Sequence, residues 1–551
     1  MPSHLIQRAH DLLSRRSVMQ ETSAFMQGDH WHGGDGWIGP RLPNSDRRSV
    51  DVLAEIQRGF VTREVINELA RRHRDAVIGT KPHWTVTVRR PLKDDEQPTA
   101  QEQALIDEAE AALTQWWDAN DVMGTLQDAA MTLLWASENP QQASERKARH
   151  GKRAVRRTVS PLRVYIPESR APNGEVRGNL EQVIKIISVS HLSPLTGGVI
   201  RDLDGEPIAG FYLYEDDQHR ELIEIVATGR RMREFELLEG NANDDDTVVQ
   251  IRRLTADAAV VDEAIYDLGG LSLYHEMNRE PLITDAILSQ QKLVNMALTM
   301  MSRNVVLGGF LERVMTNAQM PGKWVDEHGN ETADGTGTFQ PDPMFVGAGA
   351  LNILQGTPIY DEMGQVKGYA PVGVHWRDPV KVDTFRDTLA ESIESMYAEA
   401  QQLHALMSGD ATASGRSRIQ ATNDFVASLG ISAVPLENAV RFVLETVLAL
   451  ASHLSRQPRR FAELRATVKM RLSAVQPEAD DVRSTVMLLD SHVISRETAR
   501  SRVGIEDTDA EAAKVAAEQE GELERLAQFR PMAGDPGADV GEDDDEGDDE
   551  E

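Results

Sequence analysis

Between Ile283 and Leu307 the apolar side chains fall on one heptad-like stripe, through Ile287, Val294 and Met301 with Leu298 and Val305 alongside. That spacing predicts a helix of about 25 residues, roughly 37 Å long. A second stripe runs from Val380 to Met407, stepping by four and three through Phe385, Leu389, Ile393, Met396, Ala400, Leu403 and Met407, and predicts another helix without a break. Residues 308–379 between them are punctuated by Gly and Pro and carry short β-type pieces, so a small α/β module is expected there.

The flanking regions read differently. Residues 4–26 have helical spacing, and GDHWHGGDGWIGPRLPNSD then removes all periodicity, as an ordered loop would. Val65, Leu69, His73, Ala76 and Val77 predict a helix that Gly79 and Pro82 end before the alternating run HWTVTV. Residues 100–137 read as helix with an interruption near Asn120. The runs LRVYIP, VIKIISV, AGFYLYE, LIEIVATG and TVVQIRRL between 160 and 270 read as short strands, the β-rich half of an α+β domain. After SGDATASG a helix resumes to about Leu454 with a bend before Pro435, followed by the strand ATVKMRLS and two short helices over 478–529.

Composition narrows the picture. A chain of 551 residues exceeds what one core organises, so several parts are expected. No apolar run is long enough for a membrane span, and MPSHLIQRAHDLLSRRSVMQ lacks the apolar core of a secretory signal. With no cysteine there is no disulfide, thiolate metal site or cysteine nucleophile, which fits a reducing compartment. The net charge is −31, and Asp535 to Glu551 supplies 11 acids and no base, so the preceding residues still carry −20. Such a body is a poor nucleic-acid binder by counterion release, so if it handles DNA it should guide rather than grip. The acidic run without aromatics is expected to be disordered.

Four groups of residues carry candidate chemistry. Asp29, His30, His32 and Asp35 have metal-ligand side chains, yet two tryptophans and several glycines around them suit a packed loop, and no helical His pair or general base completes a catalytic set. Arg146, Lys147, Arg149, Lys152, Arg153, Arg156 and Arg157 could touch DNA or an acidic capsid surface, or form a solvated loop, since no aromatic is interleaved to stack a base. Asp383, Asp387, Glu391 and Glu394 lie off the apolar stripe of the second long helix, a solvated face or a channel lining that repels phosphate. Ser408, Gly409, Asp410, Ala411, Thr412, Ala413, Ser414 and Gly415, with Arg416 at the edge, form a small flexible connector. There is no G-x-x-x-x-G-K-[ST] loop, so ATP chemistry is not expected in this chain.

The order of these segments resembles the portal proteins of tailed bacteriophages. The likeness spans roughly residues 20–530 and rests on FMQGDHWHGGDGWIGP, NELARRHRDAVIGTKPHWTV, the LRVYIP strand, ASGRSRIQATNDF and ISRETARSRVGIEDTDAEAAKVAAE standing in that family's order. The resemblance implies a multi-part α+β fold: a wing over 1–280, a first stem helix over 281–308, a clip over 309–379, a second stem helix over 380–407, a tunnel loop over 408–416, a bent wing helix and strand over 417–474, and a crown over 475–530. An acidic tail follows over 531–551. It further implies no enzymatic activity and no cofactor, and a dodecameric ring at one capsid vertex, in the virion and, during assembly, in the host cytoplasm. Double-stranded DNA would pass through the ring. Its partners would be the large terminase, the major capsid and scaffolding proteins, and head-completion or tail adaptor proteins. The insertion at 143–157, the acids Asp244 to Asp246 and a long clip depart from a minimal member. Two rivals remain open at this point: another head-tail structural protein, and a metal-dependent hydrolase built on the Asp29, His30, His32 and Asp35 cluster.

Overall fold

Residues 4–26 form two helices rather than one, α1 (His4–Arg15) and α2 (Met19–Met26), separated by a 3-10 turn. The turn swings Arg16 into the interior, where its guanidinium donates to the carbonyls of Pro194 (3.0 Å) and Gly197 (2.9 Å) and to Glu276 Oε2 (2.8 Å). A buried cation is tolerated only when paired and hydrogen-bonded in this way, so the side chain dictates the break. The structure, a computed structural model, describes residues 4–31, 57–91, 97–139, 156–167, 178–235 apart from 203, 246–255, 259–309, 313–319, 322–332 apart from 327 and 329, 337–341, 355–376, 380–407, 415–472 and 479–491, with isolated positions besides. The chain divides into two compact units, 1–474 and 475–551.

In the first unit, α3 (Val65–Ile78) leads to strand β1 (His83–Val88). Helix α4 (Ala100–Ala119) is started by a capping box in which Thr99 and Glu102 satisfy each other's backbone N–H. At Asn120 the backbone becomes extended, and Asp121 caps α5 (Val122–Trp135), so the interruption falls where the sequence pattern predicts it. Then come β2 (Ser160–Tyr165), α6 (Leu180–Ile184), β3 (Ser188–His191), β4 (Gly197–Arg201), β5 (Pro207–Glu215), β6 (Glu221–Thr228), α7 (Gly229–Glu234), β7 (Val248–Leu254), β8 (Val260–Tyr266) and β9 (Tyr274–Met277). They make two antiparallel sheets, ordered β3-β2-β9 and β4-β5-β6-β7-β8.

Alternation along the larger sheet sends Ala209, Phe211, Ile223, Ile225, Val249 and Ile251 to one face, where Leu5, Ile6 and Ala9 of α1 and Met232 of α7 cover them. The opposite face carries a buried polar cluster. Glu224 is fully buried and receives Arg163 (2.5 Å), Arg252 (3.1 Å), Gln250 (2.8 Å) and the Tyr274 hydroxyl (2.6 Å), which together hold its carboxyl below the usual range against the opposing effect of burial. Gly210 is obligatory here, because any Cβ would collide with the Tyr274 ring.

The long helices follow. Helix α8 (Asp285–Gly309) matches the predicted length, but the second stripe is broken. Helix α9 (Val382–Glu399) ends, Gln401 takes a left-handed φ of 58°, and α10 (Leu403–Met407) starts afresh. The cause is Gln402, which is buried and donates from its side chain to the Leu69 carbonyl of α3 at 2.9 Å. Helix α11 (Gly415–Leu454) carries Pro435 inside it, β18 (Leu464–Lys469) pairs with β1, and the second unit contains α12 (Ala479–Asp490).

In the described part of the segment between α8 and α9, where a small α/β module was expected, the elements are antiparallel strand pairs. Its pairs are β10 (Arg313–Thr316) with β17 (Gly373–Trp376), β11 (Ala318–Gln319) with β14 (Gln355–Gly356), β12 (Gly322–Val325) with β13 (Thr338–Pro341), and β15 (Pro358–Tyr360) with β16 (Val366–Tyr369), all antiparallel. Asp326 and Asp361 each accept two backbone N–H groups at hairpin tips, as Asp202 and Asp216 do in the larger sheet.

Candidate functional site

Helices α8 and α9 form an antiparallel pair whose two ends are fixed by specific contacts. At one end the Asn304 amide brackets the backbone of Val380, donating to its carbonyl at 2.8 Å and accepting its N–H at 2.9 Å. At the other, Thr284 donates to Glu399 (3.2 Å), and Arg156 grips Asp285 with both guanidinium arms at 2.8 and 2.5 Å. Leu389, Ile393, Met396, Tyr397 and Ala400 turn inward toward Ile287, Leu288 and Val294. Asp383, Asp387, Glu391 and Glu394 are consequently all exposed, along a helix about 27 Å long. Arg386 stands among them and is exposed too.

The pair is anchored by a polar stripe that the apolar pattern conceals. Gln291, Asn295 and Thr299, spaced by four on α8, are all buried. Their side chains satisfy the segment that precedes α3 and the first turn of α3: Val61 N–H donates to Thr299 (3.1 Å), Arg63 N–H to Asn295 (3.3 Å), and Ile66 N–H to Gln291 (3.0 Å), while Gln291 returns a bond to the Arg63 carbonyl (2.7 Å). The helix thus stands in for a neighbouring strand.

Asn295 also donates to His30 Nδ1 at 2.7 Å, and the His30 ring lies 4.8 Å from that of Phe25. Burial lowers the His30 pKa. Among the described residues no group of three His, Asp or Glu is placed to hold a metal. His32 and Asp35 lie outside the described residues. In the joint between the N-terminal loop and α8, His30 thus accepts from Asn295 and packs against Phe25.

Of the basic residues, Arg156 and Arg157 are described; Arg146, Lys147, Arg149, Lys152 and Arg153 lie outside. Arg156 pairs with Asp285, and the Arg157 N–H donates to Glu138 (2.8 Å). Residues Ser408 to Ser414 of the connector also lie outside, whereas Gly415 and Arg416 form the first turn of α11, so the connector stops short of its expected edge.

The helices on either side of that connector are joined by ring contacts. The His404 ring of α10 packs tilted against Phe425 of α11 at 4.5 Å, and His73 meets Phe425 edge-on at 6.0 Å. Beyond it, Ser432 lies 2.7 Å from His73 Nε2 and accepts a short hydrogen bond from Arg279. Ser beside His suggests a nucleophile and its base, but the environment opposes that chemistry. Burial and the Arg279 guanidinium push His73 down to about 3, so it is a very weak base, and both side chains are almost completely buried. This cluster packs α3 against α11 just before Pro435, where the helix lacks one N–H donor.

Sequence reasoning missed Asn304, the Gln291–Asn295–Thr299 stripe and the Arg156–Asp285 clamp. The four-residue spacing of the first two polar positions and the third was a signal; the other two depend on partners more than 70 positions away. Neither a protein-family model nor a curated protein matches this chain.

Proposed function

We propose that the chain is the portal subunit of a tailed bacteriophage, assembling into a ring through which double-stranded DNA is packaged, retained and ejected. The observation that carries the reading is the α8–α9 pair: an antiparallel helical hairpin, locked at both ends, with Asp383, Asp387, Glu391 and Glu394 all exposed and with hairpins at its far end. In a ring whose α9 helices face inward, repeated carboxylates would repel phosphate and let a duplex slide without sticking. The terminase, which would supply ATP chemistry, and the capsid, scaffolding and tail adaptor proteins are the partners this role requires.

Exposed apolar side chains support assembly. Val305, Val380 and Val382 near one end of the helical pair, Tyr360, Met363 and Tyr369 on the β15–β16 hairpin, and Ile431 and Val434 on α11 are all exposed in the single chain. Apolar groups exposed in this way are available for burial against neighbouring copies, and a cyclic ring would bury them without leaving open ends. Negative-stain microscopy of purified protein tests the reading: closed rings with a central hole are expected. A monomer at every concentration and salt, seen by light scattering, overturns it.

A further inference from the structure

Strands β1 and β18 make a two-stranded ribbon with a strict division of faces. Val86, Val88, Leu464, Ala466 and Val468 are buried, while His83, Thr85, Thr87, Arg465, Thr467 and Lys469 are exposed. The register sets His83 opposite Lys469, Thr85 opposite Thr467 and Thr87 opposite Arg465, so the exposed six form one continuous surface. Lys81 and Arg89, both exposed, extend it at the two ends of β1, and the half-exposed Arg471 follows β18. From Lys81 to Arg89 the ribbon covers about 27 Å.

The charges on this face are unevenly matched. Lys81 has Asp118 at 3.5 Å and Arg89 has Glu445 at 3.6 Å; Glu463 stands beside Arg465 at one end. Glu110 is occupied by the Val86 N–H at 2.9 Å. Among the described residues no carboxylate pairs with Arg465 or Lys469, which flank the central Thr85–Thr467 pair. In a chain of net charge −31 this is a local reversal of sign.

We infer that the outer face of the β1–β18 ribbon contacts the phosphate backbone of duplex DNA without reading its sequence. The residue types decide between partners. Protein-docking surfaces centre on apolar and aromatic side chains and are poor in Lys, whereas this face alternates cations with threonine hydroxyls and carries no aliphatic or large aromatic side chain. Arg, Lys and Thr are groups that contact phosphate oxygens, and a two-stranded ribbon is a shape that lies against a duplex. A length of about 27 Å spans roughly eight base pairs. The surrounding negative charge keeps the contact weak and short-ranged, so it acts on DNA already held nearby. The inference does not depend on ring assembly or on the portal reading.

The test is fluorescence anisotropy of a labelled duplex of about 20 base pairs, titrated with full-length protein across a salt series, wild type against R465Q/K469Q. Both side chains are exposed, so the variant's melting curve should match the wild type, which keeps a folding defect from imitating the result. If the ribbon holds the duplex, removing two phosphate contacts lowers the slope of log affinity against log salt by about 1.8, so a threefold rise in salt weakens the variant about sevenfold less than the wild type. R465E/K469E should abolish binding at low salt. An unchanged slope in R465Q/K469Q overturns the inference, as does a wild type that fails to bind the duplex at low salt. Substitution-sensitive binding of polyglutamate in place of the duplex would assign the face to an acidic protein instead, and would overturn it equally.

Discussion

Replacing Asn295 by Leu removes the centre of the joint between α8, the N-terminal loop and the segment before α3. Leu has nearly the shape of Asn, so little cavity is left, and the cost comes from stranded polar groups. His30 Nδ1 loses the donor at 2.7 Å and the Gln291 amide loses the acceptor at 2.9 Å, both buried; the Arg63 N–H loses a longer bond at 3.3 Å but belongs to an exposed residue that water can reach. At roughly 1–3 kcal/mol for each of the two buried orphans, less about 1 kcal/mol returned by the leucine, the net loss is about 1–5 kcal/mol. A chain with several parts need not unfold in one step, so the measurement should be local. Amide hydrogen exchange at Val61, Arg63 and Ile66 should accelerate about 100-fold for a 3 kcal/mol loss while the larger sheet is unaffected. Asn295→Asp keeps the acceptor and pairs with a protonated His30. A histidine pKa raised by that pairing would contribute stability at low pH and lose it as pH rises through the folded value. Exchange at Ile66 unchanged in Asn295→Leu would mean the stripe does not hold the segment.

Glu224→Gln leaves Arg163 and Arg252 without their counter-charge and should destabilise the two-sheet region by about 3–5 kcal/mol, read from its urea midpoint. Because the Glu224 carboxyl is held below its ordinary range, its contribution is complete above about pH 4.3 and lost as pH falls through the folded value, so wild type and variant should converge in acid; curves that stay parallel to pH 2 count against it. Leu389→Asp meets a half-buried position in the single chain, so it should cost about 1–3 kcal/mol of chain stability and lower ring yield; an unchanged yield and melting temperature would place that stripe in solvent. Shortening Ser408 to Gly415 should leave rings intact while reducing packaging or retention of DNA. Full-length genomes held in heads built with the shortened protein would remove the assigned role.

The parts of this fold legible in sequence were those whose cause is local. Helix α8 has its apolar stripe within its own residues, and the break at Asn120 is announced by the Asp121 cap and the change of period around it. The second long helix was misread because its interruption is not local. The stripe from Phe385 to Met407 is regular, yet the Gln402 side chain gains a bond to Leu69, 333 positions away, and the backbone turns at Gln401 to deliver it. The same applies to Arg16, whose buried partner Glu276 lies 260 positions on and splits a helix that amphipathic spacing alone would continue.

Candidate sites divide along the same line. The exposure of Asp383, Asp387, Glu391 and Glu394 follows from the helix they share, so a periodicity argument reaches it. Arg156 looked like one of seven equivalent cations, and only the fold reveals that Asp285 has taken it. Conversely, the alternation in HWTVTV and in LRATVK predicts that each strand has a wet face, but either half of that face is unremarkable. Thr85 and Thr467 acquire meaning when the register places them side by side with Arg465 and Lys469 beyond them, because a phosphate backbone responds to the summed field of the pair of strands. Charge counted along the chain gives −31 and argues against DNA; charge counted across the β1–β18 pairing argues for a local contact, and it is the spatial count that a duplex would meet.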